Sequence, residues 1–311
     1  MKLHQIIDQN VDQSTLLEKL HRYIRSLPFT PDLANQLLSL TPSNPETATV
    51  VKIFAIEALM YHSGPIAHKQ IDDQFKQLSS IGLKRSDYLS LLRTKYMDLL
   101  TDYQFLLSPD VRELKLTDLV SKKINLLGVE DDSLVLVHDI QLKVLVFYLL
   151  CGSDFRKKNI HKYLSDENVF SRDFPAAISN YVRYSLRGGI IPIDVYKELI
   201  DHLIDSVEFR SIYSRHLQQL LENFVETNLE KLPKYYKSIR LSRIQDLLLG
   251  GETSVDIEDV LFRMITSKKF AAATKIDQIE GLVVFGDNST KYDGFNMHIK
   301  KVCDLVEKLT Q

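Results

Sequence analysis

An all-α chain with one small β-hairpin near its C-terminal end is the fold class predicted by three features of the 311-residue sequence. Apolar residues recur at spacings of three and four over most of its length, the pattern of amphipathic helices. Only 11 Gly and 9 Pro punctuate the sequence, and most stand between the periodic segments. Two short β-type runs, Lys275-Ile276-Asp277-Gln278 and Leu282-Val283-Val284-Phe285, flank a Glu280-Gly281 turn, which predicts the hairpin.

Taken in order, the periodicity predicts about five helices in the first part of the chain, at 31–40, 46–61, 68–81, 84–107 and 111–127. Their stops are Ser26-Leu27-Pro28, 41–45, Ser63-Gly64-Pro65 and Ser108-Pro109. Successive helices joined by short loops pack as antiparallel pairs, the arrangement of a tetratricopeptide-like solenoid, although no fixed-period motif is legible. The segment 129–140, with Ser133-Leu134-Val135-Leu136-Val137, fits either a short strand or a helix start. The most apolar stretch, 142–151, is too short to span a membrane and reads as a buried helix. Helices follow at 159–164, 174–185, 193–205 and 211–229, with Gly188-Gly189 as a helix stop.

From Pro233 the character changes. A helix is expected over 234–249, then a turn at Gly250-Gly251, then a second helix to about Ser267 with Ser254 as N-cap and Glu258 in its first turn. Helix, turn, helix and hairpin in that order make a winged helix. A last amphipathic segment carries Phe295, Ile299, Val302, Leu305, Val306 and Leu309 on one stripe, suited either to folding back on its own domain or to joining helices of other chains.

Composition narrows the function. Lys and Arg total 39 against 41 Asp and Glu, so no global field draws nucleic acid or an anionic membrane. Cys151 and Cys303 lie far apart in apolar patterns, which suggests neither a disulfide framework nor a metal knuckle and points to a reducing compartment. The segment 1–20 lacks the layout of a signal peptide, so cytosol and nucleus are the expected locations. His62 and His68 flank Gly64-Pro65 and do not share a helix face, so no metal or other cofactor is expected. Nucleophile elbow, phosphate loop and dinucleotide fingerprint are all missing from the sequence, which argues against an enzyme.

A winged helix invites a reading as a DNA binder, but the charges oppose it. Residues 233–287 hold eight basic and eight acidic side chains, and the helix that would read bases opens with Asp256, Glu258 and Asp259. The basic residues Lys234, Lys237, Arg240 and Arg243 recur every third position and fit either a solvated face or a partner surface. Ile239, Leu241, Ile244, Leu247 and Leu248 read as module core.

Three stretches carry a resemblance: NLEKLPKYYKSIRLSRIQDLLL (228–249), DIEDVLFRMITSKKF (256–270) and KIDQIEGLVVF (275–285). With them, the chain from about residue 143 onward resembles the PCI family, whose members are scaffold subunits of the proteasome lid, the COP nine signalosome and translation initiation factor three. Within the family a signalosome subunit is nearest in pattern and a lid subunit next. The resemblance implies a helical-repeat region at 1–142 and a PCI domain at 143–290, helical over 143–232 and winged-helix over 233–290. It further implies a bundle helix at 291–311. It implies no catalysis, partners among other PCI subunits and MPN subunits, and contact through strand edges, Lys234 to Arg243 and the terminal stripe. Some members bind nucleic acid through the winged helix, and that alternative stays open.

Overall fold

The computed structural model describes residues 6–7, 12–62, 65–80, 90–107, 113–127, 134–152, 154–156, 159, 162–163, 175–206, 209–210 and 214–286. It is mostly helical with one small three-stranded antiparallel sheet. The chain divides into two compact units, residues 1–182 with 198–220, and residues 183–197 with 221–311.

The first unit holds α1 (Gln13–Arg25), α2 (Pro31–Ser39), α3 (Pro45–Tyr61), α4 (His68–Ser80), α5 (Ser90–Leu106), α6 (Glu113–Leu127) and α7 (Leu134–Leu150). The starts of α2 and α3 follow from local chemistry. Thr30 and Asn44 accept backbone N–H bonds from Leu33 and Glu46, and Pro31 and Pro45 occupy first-turn positions where no donor is missed. Chain neighbours pack on each other: α2 on α3, α3 on α4, α5 on α6 and α6 on α7, with α1 returning to α3. α3 is apolar almost all round and buries every residue from Val50 to Tyr61 except Lys52, so it is the hub of this unit. The ambiguous segment near 134 is helix: α7 begins at Leu134, and Val144 to Cys151 are buried along it.

The division between units falls within α8 (Ala176–Leu186), α9 (Ile193–Asp205) and α10 (Leu217–Leu229). In the second unit Tyr196 of α9 stacks on Phe224 of α10 at 4.4 Å. Fully buried Asn228 uses both ends of its amide on Ile191, accepting from its N–H at 2.9 Å and donating to its carbonyl at 3.0 Å. That pairing satisfies a loop backbone which no helix or strand would otherwise serve.

The remaining elements are β1 (Ser238–Arg240), α11 (Leu241–Leu249), α12 (Ile257–Thr266), β2 (Lys275–Asp277) and β3 (Leu282–Val284). The expected helix over 234–249 is therefore corrected: its first part is a 3-10 turn, Leu232–Lys234, and then a strand. Ser238-Ile239-Arg240 alternates exposed, buried, exposed, and its backbone pairs with β3, so tertiary pairing overrides the helical spacing of the neighbouring apolar residues. The predicted hairpin is present but is two-thirds of a sheet whose order is β1-β3-β2. Ile239, Val283 and Ile276 line up across it and face inward.

α11 ends at Gly250 in the left-handed conformation (φ 62°), the predicted glycine stop. The N-cap of α12 is Asp256, not Ser254: its carboxylate accepts from Glu258 N at 2.9 Å and Asp259 N at 3.2 Å. An acidic cap satisfies two first-turn donors and favours the helix dipole as well, which a serine two residues earlier does not. At the other end Lys268 takes φ 59°, and Lys269 N closes on Met264 O at 2.9 Å.

Both ends of α12 are testable by urea unfolding. Asp256→Ala is expected to lower stability by about 1 kcal/mol through the lost cap. Lys268→Gly is expected to raise it by about 1 kcal/mol, because glycine adopts the left-handed position without the Cβ penalty.

Candidate partner surface and a buried charge network

The four basic residues singled out in the sequence lie along the approach to and exit from β1 rather than on one helix. Lys234 ends the 3-10 turn, Lys237 precedes the strand, Arg240 closes it, and Arg243 lies in the first turn of α11. All four are exposed, and among the described residues none forms an ion pair. Of the apolar set, Ile239, Ile244 and Leu248 are buried while Leu241 and Leu247 are half-buried. Phe295, Ile299, Val302, Leu305, Val306 and Leu309 lie outside the described residues.

The solvent side of the sheet carries Ser238, Arg240, Lys275 and Asp277 around half-buried Leu282 and Val284. At the wing tip the Asp277 carboxylate accepts from the N–H groups of Ile279 (3.1 Å) and Glu280 (3.2 Å), and Gly281 turns with φ 60°. This leaves Ile279 98 % exposed. The acidic start of α12 is tied into its own module: Glu258 accepts from Gln278 at 2.6 Å, and Asp259 pairs with Arg263, which also reaches Glu222 at 3.1 Å. Phe262 on the same helix is 61 % exposed.

A second feature, in the first unit, was not anticipated. Lys95 Nζ lies 2.6 Å from Glu57. Lys123 pairs with Asp98 and, at 2.8 Å, with Asp102. Lys143 reaches the same two carboxylates at 2.5 and 2.6 Å. Tyr61 donates to Asp102 at 2.8 Å and accepts from Lys143 at 3.1 Å. Arg25 holds Asp139 at 2.5 Å with Glu57 3.8 Å away. Four cations and four carboxylates thus join α1, α3, α5, α6 and α7, and most of these side chains are almost wholly buried.

Electrostatics explain how such a cluster is tolerated. Burial pushes the Glu57, Asp98 and Asp139 carboxyls up, but the adjacent cations outweigh it and hold all three below the usual range. The cations responsible are Lys95 and Arg25 at Glu57, Lys123 and Lys143 at Asp98, and Arg25 and Lys95 at Asp139. Tyr61 is raised well above a free phenol by burial and by Asp102 and Asp98, which keeps it a donor. His21 sits 3.7 Å from Asp139, yet burial and the Lys95 charge lower its pKa to about 4, so the ring is neutral near pH 7. A cavity of about 50 Å³ beside Arg25, Asp139 and Lys143, floored by Leu142, Val146 and Phe209, is of a size for ordered water.

The sequence signal for this network is charge embedded in apolar helix: Glu57 within VVKIFAIEALMY, Lys143 within QLKVLVFYLL, and the pair Asp98 and Asp102 four residues apart. Among the described residues no group of three or more His, Cys, Asp or Glu side chains is placed to hold a metal ion. No helix among them is long and apolar enough to cross a membrane.

Against known families, the PCI domain profile matches residues 195–287, which runs from α9 through β3 and takes in the whole sheet and helix-turn-helix. A PCI domain is found there, and a helical array leading into a winged-helix module is the architecture it fits. PCI domains typically assemble in multi-subunit complexes, generally as non-catalytic scaffold subunits. No curated protein is a significant match to the sequence.

Two measurements check the network. Replacing Lys143 with Met leaves Asp98 and Asp102 with one cation instead of two and is expected to cost about 3–5 kcal/mol in urea unfolding. Stability is also expected to fall on acidification. A base whose folded pKa is depressed binds fewer protons folded than unfolded, so His21 contributes stability that is present above about pH 6.5 and lost towards pH 4. The loss is on the order of 3 kcal/mol, with His216, lowered by burial and Arg215, adding in the same direction. The carboxylates extend the loss below their unfolded range. His21→Gln should flatten the slope between pH 5 and 6.5; an unchanged slope contradicts this assignment.

Proposed function

We propose that the chain is a non-catalytic scaffold subunit of the COP nine signalosome, the complex that deneddylates cullin-RING ubiquitin ligases, and that its counterpart there is the fourth subunit. The observation that carries the reading is the PCI match over 195–287, coincident with a winged helix whose sheet has two edges and whose Lys234, Lys237, Arg240 and Arg243 are exposed. Support for the particular subunit comes from Met264-Ile265-Thr266 and from Ile276-Asp277-Gln278-Ile279-Glu280-Gly281, with the terminal run Leu305-Val306-Glu307-Lys308-Leu309. The lid's regulatory non-ATPase subunit five is the second reading, favoured by 228–249 but less by the hairpin.

In this role the chain holds other PCI subunits and MPN subunits, needs no cofactor, and works in cytoplasm and nucleus. The winged helix meets neighbours through strand edges and Lys234 to Arg243, and the stripe from Phe295 to Leu309 enters a shared helical bundle. A nucleic-acid adaptor is the competing class; the acidic opening of α12 weighs against it.

Affinity purification of the tagged chain at native expression, with mass spectrometry and a deneddylase assay of the eluate, tests the reading. Recovery of signalosome subunits with activity is the expected outcome. Lid subunits would transfer the chain to the proteasome, and a lone monomer would end the scaffold reading.

A further inference from the structure

The second unit divides its charge by segment. Residues 231–245 hold five Lys or Arg and no acid, whereas 252–262 hold four acids and no Lys or Arg. The wing tip joins the acidic stretch: Gln278 Nε2 donates to Glu258 at 2.6 Å, which seats the tip against the first turn of α12. Asp277 and Glu280 come with it, and neither forms an ion pair among the described residues. Nearby cations do not cancel this charge. Arg263 is spent on Asp259 and Glu222, Lys275 starts β2 at the end away from the tip, and Arg240 stands across β3 from Asp277.

Two apolar side chains stand out of this acidic surface. Phe262 lies one turn beyond Glu258 on the same side of α12, and Ile279 follows Gln278. They are the two most exposed large apolar side chains among the described residues. Local bonds hold Ile279 outward: the Asp277 carboxylate accepts from the N–H groups of Ile279 and Glu280, and Gln278 is tied to Glu258. Single exposed apolar residues are ordinary, but two of them bridged by one hydrogen bond and ringed by carboxylates make a surface.

We infer that this surface, Phe262 and Ile279 with Glu258, Asp259, Asp277 and Glu280 around them, docks a basic segment of a partner protein whose apolar side chains cover the two anchors. The carboxylates repel the phosphates of nucleic acid and of anionic lipid alike, so a polypeptide rich in Lys and Arg is the complementary occupant. Phe262 and Ile279 supply the desolvated contact, while the acids select the sign of the partner and steer its approach. The inference uses none of the residues assigned to contacts around β1, and it rests on the scaffold reading only in taking the occupant to be a protein.

The test uses the full chain and a fluorescein-labelled amphipathic peptide of Leu and Lys, read by fluorescence anisotropy. Controls are the same peptide with Ser for Leu and with Glu for Lys. The Leu-Lys peptide is expected to bind, more weakly as salt rises, and both controls should lose binding. Phe262→Ser combined with Ile279→Ser should weaken it about tenfold or more. Glu280→Lys should weaken it roughly two- to fivefold, and Asp73→Lys, at an exposed acid of α4, should leave it unchanged. All four positions are exposed, so circular dichroism is expected to show each variant folded. p-Benzoylphenylalanine in place of Phe262 should give a chain–peptide adduct on irradiation. An adduct with residues 287–311 of the same chain, or with a second copy, overturns the partner assignment. Absence of binding by the unaltered chain, or undiminished binding by the double serine variant, overturns the docking surface, and equal binding of the Ser-for-Leu peptide overturns the apolar anchors. The outcome is separable from the fate of the complex. Peptide binding through Phe262 and Ile279 by a chain that purifies alone would sink the scaffold reading only, and recovery of the complex alongside undiminished peptide binding by the double variant would sink this inference only.

Discussion

Matched charge inside the first unit is the constraint on which its helical packing depends. Lys123 and Lys143 share Asp98 and Asp102, so each carboxylate faces two ammonium groups and neither can be moved without stranding the others. Burying an ion costs several kcal/mol, and close pairing with additional donors, here Tyr61, offsets that cost without making the cluster a large net source of stability. What the network specifies instead is register. α5 supplies three of its members and meets α3, α6 and α7 through them, and a helix sliding by one turn would leave a buried charge unpaired.

The second unit is organised by a different restriction, the alternation of a very short sheet. Three residues per strand leave one inward position each, filled by Ile239, Val283 and Ile276. β3 is central and pairs on both sides, Ile239 and Val283 are buried, and Phe285 sets its ring against Phe270 at 5.6 Å. With so few residues the sheet cannot be stable alone, so α11 and α12 have to cover it. Ile244 and Leu248 of α11 and Val260, Leu261 and Met264 of α12 are buried in this unit.

Most of the architecture was legible because long amphipathic periods and glycine or proline stops are local signals. α9 matches its expected bounds, and α2 and α3 each differ by a residue at one end. The strand at Ser238–Arg240 was not legible, since its pairing partner lies more than forty residues away at Leu282–Val284 and the spacing of Ile239, Leu241 and Ile244 also suits a helix. With a strand at that place, the basic residues set every third position form a fence around it rather than a stripe on a helix. The buried network escaped for the opposite reason. Charges such as Glu57 and Lys143 embedded in apolar helix mark candidates in the sequence but not their partners, and only the fold brings Arg25 to Asp139 or Lys143 to Asp98.

The contrast between the two sets of charges indicates where binding energy resides. In the first unit every ammonium and guanidinium of the cluster already faces a carboxylate at short range, and a newcomer would have to displace a partner from a dry interior. Around β1 the cations are solvated and lack partners among the described residues. A partner there loses little in desolvation and gains charge complementarity. The interior network thus fixes the helices of the first unit among themselves, while the solvated cations of the second stand around the β1 edge.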